Sequence, residues 1–257
     1  MKKKIISIAN QKGGVGKTTT AINLAASLAV AEKRTLLIDS DPQGNSSSGV
    51  GIDRSKIREK NLYQAIIGKI PLAETLHVSP LPSLTVIPAT QDLIGVEVEF
   101  VQLPDRERKL KQLLSGLPGD FEFVIIDCPP SLGFLTINAL VASDFLIIPL
   151  QCEYFAMEGL SQLMNTVRLV QNRLNPGLTL SGILLTMFDT RNRLSHRVEE
   201  EVRKYFAGKV FQTIIPRNVR LSESPSHGLP VLLYDITSRG AVSYMELARE
   251  ILNNGRG

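Results

Sequence analysis

Short apolar runs recur along this chain, separated by longer stretches in which apolar residues return every three or four positions. The runs are Ile5–Ala9, Thr35–Ile38, Leu84–Ile87, Phe123–Ile126, Phe145–Leu150, Gly182–Thr186 and Val210–Ile215. Most show little polar alternation, which predicts parallel strands covered on both faces. The helical period appears over Lys17–Glu32, Asp92–Val101, Arg106–Leu114, Gly133–Ala142, Met157–Leu174, Ser195–Phe206 and Val242–Asn253. Strand and helix alternating at this spacing predict an α/β fold: a doubly wound, mostly parallel sheet with helices on both faces. Within Met157–Leu174, the residues Leu160, Leu163, Met164, Val167 and Val170 form a core-facing stripe. Ser46–Lys60 is polar and reads as a mobile surface loop. No repeat or composition break divides the chain, so residues 1–257 are expected to form one domain.

Composition narrows the class. A chain of 257 residues with 43% hydrophobic content can bury a substantial core. Two cysteines, Cys128 and Cys152, make no disulfide framework and suit a reducing compartment. The opening MKKKIISIANQKGG has an apolar run too short for a secretory h-region, and no segment approaches the ~20 apolar residues of a membrane span. The expectation is a soluble cytoplasmic protein. His77, His196 and His227 are scattered, without metal-ligand spacing, and read as surface or capping residues.

The sharpest chemical signal lies between the first strand and the first helix. IISIANQKGGVGKTTTAINL places a glycine-rich loop where a phosphate cradle requires one. Gly13, Gly14 and Gly16 let backbone amides approach phosphate oxygens without a Cβ in the way. The helix beginning near Lys17 adds its positive N-terminal end. Lys17 would reach the β and γ phosphates, and Thr18 would place its hydroxyl on Mg²⁺; Lys12 to Thr19, with Val15 inside, form the cradle. The usual pattern has glycine at position 11; here Gln11 stands there, followed by a second lysine, Lys12.

Acids close two other strands. FVIID ends on Asp127, a Walker B-like carboxylate for Mg²⁺, and LLIDSD ends on Asp39 and Asp41. Ligands of open α/β sheets sit at the carboxyl ends of strands. One of Asp39 and Asp41 could orient an attacking water while the other supports Mg²⁺, since phosphoryl transfer depends on positioning and charge stabilisation. The residues therefore predict a Mg²⁺-dependent ATP hydrolase.

The net charge of +4 is concentrated. Between Thr186 and Arg220 lie eight basic and four acidic residues, a local excess equal to that of the whole chain. Arg197, Arg203 and Lys204 stand beside Glu199–Glu201 and are expected to pair with them. Arg191, Arg193 and Arg220 have fewer acidic neighbours, although Glu223 is near Arg220. Such a patch suits nucleic-acid backbone binding.

Together these motifs resemble the ParA/Soj family of chromosome- and plasmid-partitioning ATPases, of the deviant Walker A class. The resemblance spans nearly the whole chain: KGGVGKTTT, LLIDSDPQGN, DCPPSLGFLTINAL, QCEYFAMEGLSQL, IPRNVRLSESPSHG and YDITSRGA. The first motif is shared with Min-type positioning ATPases and the nitrogenase iron protein; the later ones are more specific. The family has a non-glycine residue where Gln11 stands. The resemblance implies that Lys12 reaches the partner's phosphates in an ATP-bridged homodimer, that Asp41 positions the hydrolytic water, and that Asp39 lies near Mg²⁺. It implies that Pro216, Arg217 and Asn218 line the adenine pocket, and that Arg191 and Arg220 contact DNA. It further implies non-specific binding to double-stranded DNA, a ParB-type centromere-binding partner that stimulates slow hydrolysis, and a nucleoid location. The alternative is a Min-like or cargo-positioning ATPase acting on another surface. The C-terminal ELAREILNNGRG lacks the strong basic and apolar face of a membrane-binding helix, so no membrane attachment is expected.

Overall fold

The computed structural model describes residues 3–254. Seven strands form one sheet: β1 (Lys4–Ile8), β2 (Thr35–Asp39), β3 (His77–Val78), β4 (Leu84–Ile87), β5 (Phe123–Asp127), β6 (Phe145–Gln151) and β7 (Thr179–Thr186). Their order is β3-β4-β2-β5-β1-β6-β7, with every pairing parallel except β3 with β4. The expected doubly wound α/β sheet is therefore present. Strands β2 and β5 are buried along their full length, which explains why both read as unbroken apolar runs.

The helices are α1 (Lys17–Val30), α2 (Asn45–Gly49), α3 (Leu62–Ile66), α4 (Leu93–Glu99), α5 (Lys109–Ser115), α6 (Phe134–Ala142), α7 (Ala156–Arg173), α8 (Arg193–Tyr205), α9 (Val219–Glu223), α10 (Val231–Tyr234) and α11 (Arg239–Asn254). Helix α7 buries Leu160, Leu163, Val167 and Val170, the stripe its spacing predicts. One sheet face packs against α3 to α7 and the other against α1 and α11, with a separate apolar cluster on each side. Helix α1 is buried over most of its surface, between the sheet and α11, so its small residues Ala21, Ala25 and Ala26 are packing contacts.

Two expectations need correction. Val210–Ile215 is not a regular strand; it meets the β7 side through isolated bridges, Ile183 with Val210 and Phe188 with Pro216, and through the Ile215 amide, which donates to the Leu185 carbonyl at 2.9 Å. Between them the amides of Gln212 and Thr213 donate to the Glu250 carboxylate on α11, at 2.9 and 3.0 Å, which draws the segment off the ladder. The Ser46–Lys60 stretch is not a loose loop either. Ser46, Ser47, Val50, Ile52 and Ile57 are buried, and α2 begins just before it.

Candidate functional site

Chain order reverses at β1, which lies between β5 and β6. A crevice opens outside the carboxyl ends at such a switch point. The register puts Ile8 beside Asp127 and Asp127 beside Asp39, so the loop leaving β1 emerges next to both acids.

That loop runs directly into α1. Gly14 and Gly16 take left-handed backbone angles, φ +74° and +89°, which an L side chain would strain. Gly16 is the N-cap, so α1 has no side-chain cap, and its first turn holds no acid. Ser, Thr, Asp or Asn at the N-cap can satisfy such amides, as Asn61 and Asn192 do for α3 and α8. Here the amides and the positive helix end are left for an anion. The loop is braced from β7, where the Thr186 hydroxyl donates to the Val15 carbonyl at 2.8 Å. Asn10 adds two bonds, from its amide nitrogen to the Pro149 carbonyl at 2.7 Å and to its oxygen from the Lys12 amide at 3.1 Å.

The Lys17 side chain is buried and donates to the Lys12 carbonyl at 2.9 Å. Burial lowers its pKa, against the raising influence of Asp127, Cys128 and Asp41. Asp39 and Asp127 are fully buried neighbours. Burial raises both carboxyl pKa values, and for Asp127 the adjacent Asp39 charge raises it further. The Ser47 amide and hydroxyl donate to Asp39 Oδ2 at 2.8 and 2.7 Å, and the Ser46 hydroxyl donates to Asp127 Oδ2. Asp127 Oδ1 is buried without a hydrogen-bond partner. Asp41 reaches the surface of the crevice, where its Oδ1 accepts from the Gln43 amide at 2.9 Å.

A cavity of about 550 Å³ fills the crevice. Its walls include Gly13, Gly14, Gly16, Lys17, Thr18 and Thr19 on one side and Pro216, Arg217 and Asn218 on another, with Asp41 at its edge. Val15 is buried beneath the loop, and Asp39 and Asp127 lie in the layer behind Asp41. Lys12 is not in the wall. Its ammonium points away to Glu153, at 2.6 Å. Asn218 lines the pocket, and its carboxamide oxygen is buried without a partner.

A family model described as an AAA domain matches residues 3–180. The chain is 58% identical to the chromosome partitioning protein ParA of Myxococcus xanthus, over 97% of this chain and 88% of that protein. It is 55% identical to the sporulation initiation inhibitor protein Soj of Bacillus subtilis, over 98% of this chain and 99% of that one. The chain belongs to the ParA/Soj family of partitioning ATPases. Among solved structures, a cobyrinic acid a,c-diamide synthase from Mycobacterium smegmatis, with bound ATP analog and magnesium, is similar at 36% identity. Its TM-score is 0.86, covering 100% of this chain and 97% of that one. Identity is higher to the partitioning proteins than to the synthase.

The two arginines expected to contact DNA are engaged within this chain. Arg191 forms a fork to both oxygens of Asp189, at 3.0 Å each, and holds that carboxyl down at about 2. Arg220 pairs with Glu223 at 2.8 Å and with Asp235 at 3.3 Å, over the Tyr234 ring. Arg191 and Arg220, expected to have fewer acidic neighbours than the bases of α8, are nonetheless ion-paired: Asp189 stands two residues from Arg191, and folding adds Asp235 to Glu223 beside Arg220. Arg203 pairs with Glu199, as the helical spacing predicts.

The remaining candidates fall outside the site chemistry. The ring Nε2 of His77 lies against the Lys60 carbonyl and that of His196 against the Thr190 carbonyl, while His227 stacks on Tyr234. Cys128 and Cys152 are buried free thiols, Cys152 pushed up to about 12 by burial. Among the described residues no three His, Cys, Asp or Glu side chains are grouped so as to hold a metal ion. No helix among them is long and apolar enough to cross a membrane.

Sequence reasoning missed Ser46, Ser47, Thr186, Met187, Tyr244 and Glu153. Thr186 ends a strand, the same signal that picked out the acids. Met187, which lines the cavity at φ +48°, carries no sequence mark of that conformation.

Proposed function

We propose that this chain is an ATP-switched partitioning ATPase: it binds ATP with Mg²⁺ in the β1–α1 crevice, pairs with a second copy, and in that state holds double-stranded DNA without sequence preference. The observation that carries the reading is the uncapped α1 N-terminus facing a cavity with an incompletely bonded acid pair behind it.

The donors and acceptors fit Mg-ATP from end to end. The amides of Gly13 to Thr19 and the Lys17 ammonium take the phosphates, whose negative charge favours the protonated lysine that burial disfavours. The unpartnered Asn218 oxygen suits the exocyclic amine of adenine, with Pro216 and Arg217 beside it. The unpartnered Asp127 oxygen, the crowded Asp39 and the Thr18 hydroxyl suit a divalent cation, which favours the ionised form of both acids. Magnesium supplies charge neutralisation at the phosphates when bound. Asp41 is the acid at the crevice surface and orients the attacking water, accepting its proton as the water oxygen bonds to the γ-phosphorus and the bond from that phosphorus to the departing ADP oxygen breaks.

Lys12 gives the switch. Its pair with Glu153 is half exposed, and such pairs contribute only about 0–1 kcal/mol. Lys12 therefore leaves Glu153 at little cost when a partner's phosphates come within reach. The two basic segments, one per subunit, then act together on a DNA backbone. A ParB-type partner stimulates turnover, and the whole chain acts as one domain on the nucleoid.

The test is binding to plain duplex DNA and to anionic liposomes, each with ATP, with ADP and without nucleotide. DNA binding that requires ATP, weakens steeply with salt, and falls in Arg191→Ala and Arg220→Ala without loss of dimer is expected. ATP-dependent liposome binding with no DNA binding would place the chain with the positioning ATPases instead.

A further inference from the structure

Helix α4 and the turn after it carry apolar side chains both inward and outward. Leu93, Val96 and Phe100 are buried in the core. Ile94 (56% exposed), Val98 (75%), Val101 (56%) and Leu103 (41%) face solvent. Steps of four and three place Ile94, Val98 and Val101 on one side of the helical turn. Single exposed aliphatic residues are ordinary; a row of them marks an interaction surface.

The charge around this row is opposite to that of the chain. From Asp92 to Asp105 there are four acids, Asp92, Glu97, Glu99 and Asp105, and no lysine or arginine. Asp92 accepts from Thr90 and Glu99 from the Tyr63 hydroxyl. Asp92, Glu97 and Glu99 form no ion pair among the described residues, while Asp105 faces Arg108 at 4.0 Å. The nearest base, Arg106, is bonded to Glu107 and to the Val101 carbonyl.

We propose that the α4 face, from Ile94 to Leu103, docks a basic amphipathic helix of a partner protein. The aliphatic row buries the partner's apolar stripe, and the surrounding acids meet its lysines or arginines. The same acids repel nucleic acid and anionic lipid. Helix α8 of a second copy is a poor match, because it interleaves its bases with Glu199, Glu200 and Glu201. No residue of the α4 face lines the nucleotide cavity.

The experiment titrates the full chain, with and without ATP, into a fluorescein-labelled amphipathic helical peptide of leucine and lysine, read by anisotropy. Saturable binding that weakens with salt is expected. Ile94→Ser/Val98→Ser should lower affinity at least about tenfold, from the lost burial of two aliphatic side chains. Glu97→Lys should lower it too, and should improve binding of the matching leucine–glutamate peptide. All variants should keep the wild-type melting temperature to within a few degrees and the wild-type ATPase rate, which separates this surface from the ATP site. Unchanged affinity in the serine variant, or equal binding of the leucine–glutamate peptide by the wild type, would overturn the proposal. So would loss of a dimer, or of phosphatidylglycerol vesicle binding, in the serine variant, since the occupant would then be a second copy or a membrane.

Discussion

Replacing Asp127 by asparagine should make the ligand-free protein more stable while removing its response to Mg-ATP. The carboxyl is fully buried beside Asp39, one oxygen has no partner, and burial followed by the Asp39 charge raises its pKa to about 8. The sign follows from proton linkage. Between the unfolded value of 3.8 and about 8, the folded protein holds a proton that the unfolded chain has released. Stability of the ligand-free wild type therefore falls as pH rises across that window. Each tenfold change in proton affinity is worth about 1.4 kcal/mol. Asparagine removes the charge, keeps an oxygen for the Ser46 hydroxyl, and leaves an amide hydrogen without an acceptor, an offset of about 1 kcal/mol. A net gain of a few kcal/mol is expected at pH 7.5, read as a rise of several degrees in melting temperature. The assay is thermal unfolding from pH 5 to 8.5, in EDTA and then in Mg-ATP. In EDTA, asparagine should raise the melting temperature and flatten its pH dependence. In saturating Mg-ATP the wild type should gain about 3 kcal/mol at a hundredfold excess over Kd, and the variant far less. A variant less stable than wild type in EDTA, together with a wild-type melting temperature that does not fall toward high pH, would refute the reasoning.

Two further predictions probe the same crevice. Asp41→Ala should keep ATP binding and lower turnover by at least about 10²-fold, trapping the dimer; single-turnover phosphate release measures it, and an unchanged rate would remove Asp41 from the water-orienting role. Thr186→Val leaves the buried Val15 carbonyl unpaired, at a cost of about 1–3 kcal/mol, and should weaken ATP binding while preserving the fold; calorimetry reads the affinity and circular dichroism the fold.

The sheet was legible because six of the seven apolar runs are covered on both faces, and burial leaves them no room for polar alternation. The seventh, Val210–Ile215, has the composition of a strand, yet Glu250 on a helix distant in sequence takes two of its amides. No local pattern encodes that competition. The phosphate loop was legible because its glycines and lysine answer to local backbone geometry. Ser46 and Ser47 were not, since a serine that bonds a buried carboxylate looks like a serine in a loop until α2 folds it against the strand ends. The pairing of Arg220 with Asp235 was hidden for the same reason: the partner arrives through tertiary structure.

Calorimetric titration of Mg-ATP into the wild type and Lys17→Ala addresses the phosphate cradle most directly. The wild type should bind one ATP per chain, and the alanine variant should lose measurable binding while melting as a folded protein. Comparable micromolar affinity in both would mean that the β1–α1 loop does not hold the nucleotide.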